Sequence, residues 1–171
     1  INPDKRPFTS ELHLNQSAFI ATLAQRMQRG AIIMIDYGFD EAQYYHPQRS
    51  MGTLIGHYRH HVVDDPFFWP GLMDLTCHVN FTAMAQAAVD NDLDLIGYTS
   101  QAHFLFNLGI TEVLLAEHPD VNSKEYLQAA AAMQKLVAPH EMGELFKVIA
   151  MGKNSDVDWQ GFAVGDWCHK L

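Results

Sequence analysis

The chain has 171 residues, 48% of them hydrophobic, enough to bury the core of one domain, and no part of it reads as disordered. Twenty acidic against eleven basic residues give a formal charge of -9, which repels a phosphate backbone and argues against nucleic acid as a partner; the ten histidines erode that charge only below pH 7. The longest apolar runs, such as Ala31 to Ile35, are far shorter than the roughly 18 residues a membrane-spanning helix needs, so a soluble protein is expected.

In chain order, Ile1-Asn2-Pro3-Asp4-Lys5-Arg6-Pro7 has neither an initiator Met nor the apolar core of a signal peptide, which reads as a cut end and the chain as a fragment. Asn15-Gln16-Ser17 opens a helix whose apolar residues Phe19, Ile20, Leu23 and Met27 recur at helical spacing, with Arg26 and Arg29 in its last turn and Gly30 as a left-handed stop. The unbroken, β-branched run Ala31-Ile32-Ile33-Met34-Ile35, ending in Asp36-Tyr37-Gly38, predicts a strand buried on both faces. From Phe39 to Val79 the sequence is rich in aromatics, histidine, proline and glycine without a sustained period. This stretch is expected to be a long ordered excursion, packed down by Tyr44, Tyr45, Tyr58, Phe67, Phe68 and Trp69, and the first place to look for a site.

Asn80 is placed to cap a helix carrying Phe81, Met84, Ala85 and Ala88 and ended by Asn91-Asp92, after which Leu93 to Thr99 reads as a strand. Ser100 caps a short helix with Phe104, Leu105 and Leu108, stopped by Gly109; Ile110 to Glu117 and Ser123 to Val137 follow as helices, and Leu145 to Met151 is a last strand entered through the turn-like Met142-Gly143-Glu144. About three strands against four or five helices is few for a closed α/β sheet, so the sheet is expected to be incomplete. The two cysteines, Cys77 and Cys168, lie far apart and read as free thiols in a reducing compartment, the cytoplasm by default.

Single motifs carry little chemistry. In His57-Tyr58-Arg59-His60-His61 the first two histidines are three apart with no glutamate between them, which speaks against zinc and for a polar face or a substrate-contact surface. No metal is expected on that spacing, and Cys77-His78 has no second close pair beside it; no G-x-S-x-G, G-x-G-x-x-G or P-loop occurs, so no Ser nucleophile is marked and nothing in this chain would cradle a nucleotide phosphate. Asp36 leaves the buried strand at the edge where open α/β sheets bind ligands; an ordinary turn residue is the even alternative. Asp74, Thr76 and His78 alternate with apolar residues and would share one face if extended, the alternative being a solvated segment leading to the helix cap.

Taken in order, Ile35-Asp36-Tyr37-Gly38, Gly52-Thr53-Leu54 with His57-Tyr58-Arg59, Asp65-Pro66-Phe67 with Trp69-Pro70-Gly71, Asp74-Leu75-Thr76 with His78-Val79-Asn80-Phe81, Gln101 with Phe104-Leu105 and Gly109, and Met142-Gly143-Glu144 with Phe146-Lys147 resemble the MidA family across Ser10 to Gly152. Many members of that family have Asp where this chain has Asn80; since both cap helices about equally well, the exchange points to a structural role there.

The resemblance implies the carboxyl-terminal half of a class I, Rossmann-like methyltransferase. In it Ala31 to Asp36 is the fifth strand, Leu93 to Thr99 the sixth, and Leu145 to Met151 the antiparallel last strand inserted between them. It further implies S-adenosylmethionine as cofactor, bound mainly by a missing amino-terminal half with no cofactor-binding residue here. The implied substrate is a protein, with arginine N-methylation as in the mitochondrial branch associated with respiratory complex I assembly. On this reading residues 1–153 are the methyltransferase part, with the insertion at about 39–79, and 154–171 a tail of unplaced aromatics. Asp36, Asp74 and His78 are the candidate catalytic residues, and Tyr37, His57, Arg59, Thr76 and Gln101 the candidate substrate-binding ones. The isolated fragment is expected to be inactive and prone to dimerise or swap elements. The alternative is a non-catalytic module that docks a partner through 39–79.

Overall fold

The computed structural model describes residues 7–171; the reading attached to Ile1 through Arg6 lies outside the described residues. Helix α1 (Gln16–Arg26) buries Ile20 and Ala24, and ends when Met27 turns to an extended conformation. Gly30 is therefore not its stop but the first residue of β1 (Gly30–Phe39), with φ +136°. Next come α2 (Glu41–Tyr44), a 3-10 turn at Pro47–Arg49, β2 (Ile55–Tyr58), β3 (His61–Val63), β4 (Asp74–Thr76) and β5 (Val79–Asn80). They are followed by α3 (Phe81–Val89), β6 (Asp94–Ser100), α4 (Gln101–Asn107), α5 (Ile110–Glu117), α6 (Lys124–Val137), α7 (Met142–Leu145) and β7 (Phe146–Lys153). The capping residues act as their types dictate: Asn80, Ser100 and Ser123 accept from the N–H of Ala83, His103 and Tyr126 respectively.

The principal sheet is mixed, in the order β5-β1-β7-β6, with β7 antiparallel to both of its neighbours and β5 parallel to the end of β1. One face carries α1 and α3, whose Ile20, Ala24, Phe81, Met84 and Ala88 close over Tyr98, Ile149 and Met151. Each large apolar side chain buried in this way contributes about 1.5–3 kcal/mol. Val148, Ala150 and Phe162 form a smaller cluster with Ile96, Phe104 and Trp159 on the opposite side. That second layer does not reach β1, so burial of this strand on both faces is not what the structure shows: Ile33 and Ile35 remain 46% and 51% exposed. Helices α1 and α3 cover only the Ile32 and Met34 side.

The excursion is more regular than its composition suggests. Besides α2 it contains a three-stranded antiparallel sheet, β3-β2-β4, so the described residues hold seven strands rather than about three. Strands of two to four residues are too short to show a period. The β2–β3 turn puts Arg59 and His60 at φ 48° and 65°, the left-handed pair that this tight hairpin requires, without the usual glycine or asparagine. Tyr58 stacks on Trp69 with an interplanar angle of 17°, and Phe68 meets both edge-on. The Met142-Gly143-Glu144 entry to the last strand is helical rather than a turn, and includes Leu145.

The tail packs on the body. Phe162 lies in the second cluster, and residues 165–167 bond to Tyr98 and Thr99 of β6, the end strand of the principal sheet among the described residues. Trp167 N donates to the Tyr98 carbonyl (2.6 Å), Asp166 Oδ1 accepts from Tyr98 N (3.0 Å), and Thr99 Oγ1 donates to the Gly165 carbonyl (2.7 Å). These bonds satisfy edge groups that would otherwise be open to pairing with another chain.

Candidate active site

The excursion folds back over the end of β1 and forms an open cavity of about 320 Å³ lined by Tyr37, Thr53, Ile55, His57, Asp74, Thr76, His78 and Leu145, with His57 and Asp74 exposed at its mouth. The β2–β4 register explains half of that wall: Ile55 stands opposite Thr76 and His57 opposite Asp74, and alternate residues of a strand point to one face. Tyr37 comes from the end of β1 and Leu145 from the end of α7. His78 bridges β4 and β5, its ring edge-on to Tyr37 at 5.3 Å and tilted against Phe39 at 4.9 Å. The parallel pairing of Gly38 with Val79 brings this segment beside β1.

Five of the eight residues singled out in the sequence thus meet in one cavity: Tyr37, His57, Asp74, Thr76 and His78. The other three stand elsewhere. Asp36 is exposed and accepts from its own neighbour, Tyr37 N, at 2.8 Å. Arg59 sits at the hairpin tip with its guanidinium carbon 5.5 Å from the Tyr58 ring centre. Gln101 is buried, and its amide donates to the Leu136 carbonyl (2.8 Å), tying α4 to α6.

A network centred on Glu11 stands behind the cavity, and no sequence motif announces it. The Glu11 carboxylate accepts from Thr53 N (2.8 Å), Leu54 N (2.8 Å), Thr53 Oγ1 (3.1 Å) and the Tyr44 hydroxyl (3.3 Å). Burial pushes its pKa up, but the Thr53 and Leu54 backbone bonds and the Thr53 hydroxyl outweigh that and hold it below the ordinary value. Tyr44 is 1% exposed, and burial and the Glu11 charge raise its phenol well above the usual range.

Burial, with Arg49 and Lys147 nearby, lowers the His78 imidazole below its ordinary 6.5 against the opposing pull of Glu11 and Asp36. His78 Nδ1 is buried without a hydrogen-bond partner, so a proton there has no acceptor. The unfolded chain takes up this proton near pH 6.5, before the folded one does. The stability that neutral His78 confers is therefore complete above that pH and is lost as pH falls through the lower folded value. His78→Gln is expected to flatten the loss of stability between about pH 7 and pH 5, as read from urea midpoints. Equal pH slopes in the two proteins would show that His78 does not contribute.

Among the described residues no three of His, Cys, Asp and Glu come together as a metal site, and no helix is long and apolar enough to cross a membrane.

Residues 2–99 match the family described as "Putative S-adenosyl-L-methionine-dependent methyltransferase". The chain is 31% identical over 156 residues to the mitochondrial protein arginine methyltransferase NDUFAF7 of Mus musculus, covering 88% of this chain and 33% of that protein. The Danio rerio protein of the same name is 29% identical over 147 residues, covering 82% and 32%. A Burkholderia thailandensis protein, crystallised with S-adenosyl-homocysteine, superposes with a TM-score of 0.92 at 48% identity over 98% of this chain and 43% of its own. The chain therefore spans about a third of the length of these curated relatives and under half of that solved chain. Matching family, relatives and fold agree: the chain belongs to the MidA-like family of S-adenosylmethionine-dependent methyltransferases.

Proposed function

We propose that this chain is the acceptor-binding, carboxyl-terminal part of a class I, Rossmann-like protein arginine methyltransferase. Residues 1–153, with the insertion 39–79, belong to the catalytic domain, and 154–171 is a tail that covers a sheet edge. The observation that carries this reading is the cavity in which Asp74 stands opposite His57 and near His78 at the end of β1. A guanidinium stays protonated at any physiological pH, so an enzyme that methylates it must orient its forked donors and receive a proton. Asp74 supplies a carboxylate for the fork, Thr76 and Tyr37 supply neutral polar groups, and His57 and His78 are the two imidazoles on the wall to which a proton can pass.

The methyl donor is held by the rest of the polypeptide. From Gly30 to Tyr37, β1 is paired on one side only among the described residues, and its Ile33 and Ile35 are bare, which suits a sheet that continues upstream. Calorimetry tests the division: the complete polypeptide is expected to bind S-adenosylmethionine, and this chain alone is not. Micromolar binding by the chain alone would overturn it. The isolated chain, with that edge open, is proposed to dimerise or swap elements. No nucleic acid or membrane is proposed as a partner. A reducing compartment, the cytoplasm, is the proposed location, on the two free thiols Cys77 and Cys168.

A second reading, a non-catalytic module that docks a partner through 39–79, is favoured by the exposed tip of the insertion, where Phe67 is 80% exposed beside Phe68 and Trp69. The two readings separate on whether changes in the cavity or changes at this tip abolish function.

A further inference from the structure

We infer that Glu11 is a positioning residue for the acceptor cavity, fixing through the Thr53 hydroxyl where His78 stands on the cavity wall. The inference rests on the proposed acceptor role of that cavity. Glu11 itself is not on the wall, whereas Thr53 and His78 are. The Thr53 hydroxyl has one proton, and it lies 3.1 Å from Glu11 Oε2 and 3.0 Å from His78 N. Because a carboxylate can only accept, the hydroxyl donates to Glu11 and turns its lone pairs to the His78 N–H. The carboxylate therefore sets the direction of the bond that holds His78.

The other side of His78 belongs to the same network. Its carbonyl is 2.9 Å from His13 Nε2, which is 3.1 Å from the Tyr44 hydroxyl, which in turn donates to Glu11. Both backbone polar groups of His78 are thus fastened to a network whose one carboxylate is Glu11. The loop is shaped to fit that carboxylate. Gly52 has φ +76°, and a Cβ there would lie 2.9 Å from Glu11 Cδ. A mere staple between the amino-terminal segment and the loop would need only the Thr53 and Leu54 N–H bonds. The hydroxyl relay to His78 is what adds a role in the cavity.

The test uses Glu11→Gln and Thr53→Val in the complete polypeptide. Gln keeps the shape but puts a donor where Oε2 accepted; Val removes the relay and leaves the backbone bonds to Glu11 intact. Both are expected to raise the KM for an arginine-containing peptide by at least ~10-fold with the Kd for S-adenosylmethionine unchanged, and the double variant to be no worse than the poorer single one. Both are also expected to shift the imidazole Cε1–H resonance of His78, assigned by its loss in His78→Gln, because the ring lies against Tyr37 and Phe39. If a folded Glu11→Gln leaves both KM and the resonance unmoved, the inference is wrong. Should Glu11→Gln fail to fold, the same null result in Thr53→Val overturns it. If the complete polypeptide methylates no arginine peptide at all, the proposed reaction falls, and the resonance still decides the role of Glu11.

Discussion

Replacing Asp74 by Asn in the complete polypeptide is expected to lower methyl transfer to an arginine-containing peptide by at least ~100-fold, with little change in the Kd for S-adenosylmethionine. The exchange keeps volume and hydrogen-bonding shape but removes the one carboxylate among the residues lining the cavity. Without that charge a guanidinium loses both a charge-assisted bond and its orientation. Asp36→Asn is expected to have a smaller effect, because Asp36 is not among the residues lining the cavity and one of its carboxylate oxygens already accepts from Tyr37 N. Turnover, cofactor affinity and a thermal melt for each variant check this. A folded Asp74→Asn that turns over at the parental rate would make the carboxylate structural and move the acceptor site elsewhere.

Gly38→Ala is expected to destabilise the protein by about 3 kcal/mol, at the upper end of ordinary overpacking, because the obstacle is backbone. A Cβ at Gly38 would run into the Val79 carbonyl and lie 2.9 Å from Val79 N and 2.8 Å from Phe81 Cε2. Neither the strand pair nor the fully buried Phe81 can move aside without disturbing the other. Loss of the β1–β5 contact would also release His78 and the Asn80 cap of α3, so acceptor affinity should fall along with stability. Urea unfolding of the variant beside the parent measures the change, and a difference under about 1 kcal/mol would mean that the strands part more easily than the packing implies.

The long elements were legible where a helix carries a full period behind a capping residue or a strand carries a run of buried apolar residues. Helix α3 shows Asn80 before Phe81, Met84, Ala85 and Ala88, and β7 shows the apolar run Val148 to Met151. What lay beyond the sequence was decided by partners. The run Ala31 to Ile35 states that the strand is apolar, not that anything covers Ile33 and Ile35. The alternation of Asp74, Thr76 and His78 placed all three on the cavity wall, yet the register that sets His57 against Asp74 comes from strands of three and four residues with no period of their own. Glu11 was invisible because its partners, Thr53 and Tyr44, are 42 and 33 residues away. Gln101 was singled out as a polar residue of the motif, but what occupies its amide is the Leu136 carbonyl on a helix whose approach cannot be read from α4.

A crystal structure of the complete polypeptide with S-adenosyl-homocysteine and an arginine-containing peptide would locate the acceptor directly. The account predicts the guanidinium inside the Tyr37–His57–Asp74–His78 cavity, with its nitrogens within hydrogen-bond distance of the Asp74 carboxylate. A peptide bound with its guanidinium against residues of the upstream half, and this cavity filled only by solvent, would contradict it.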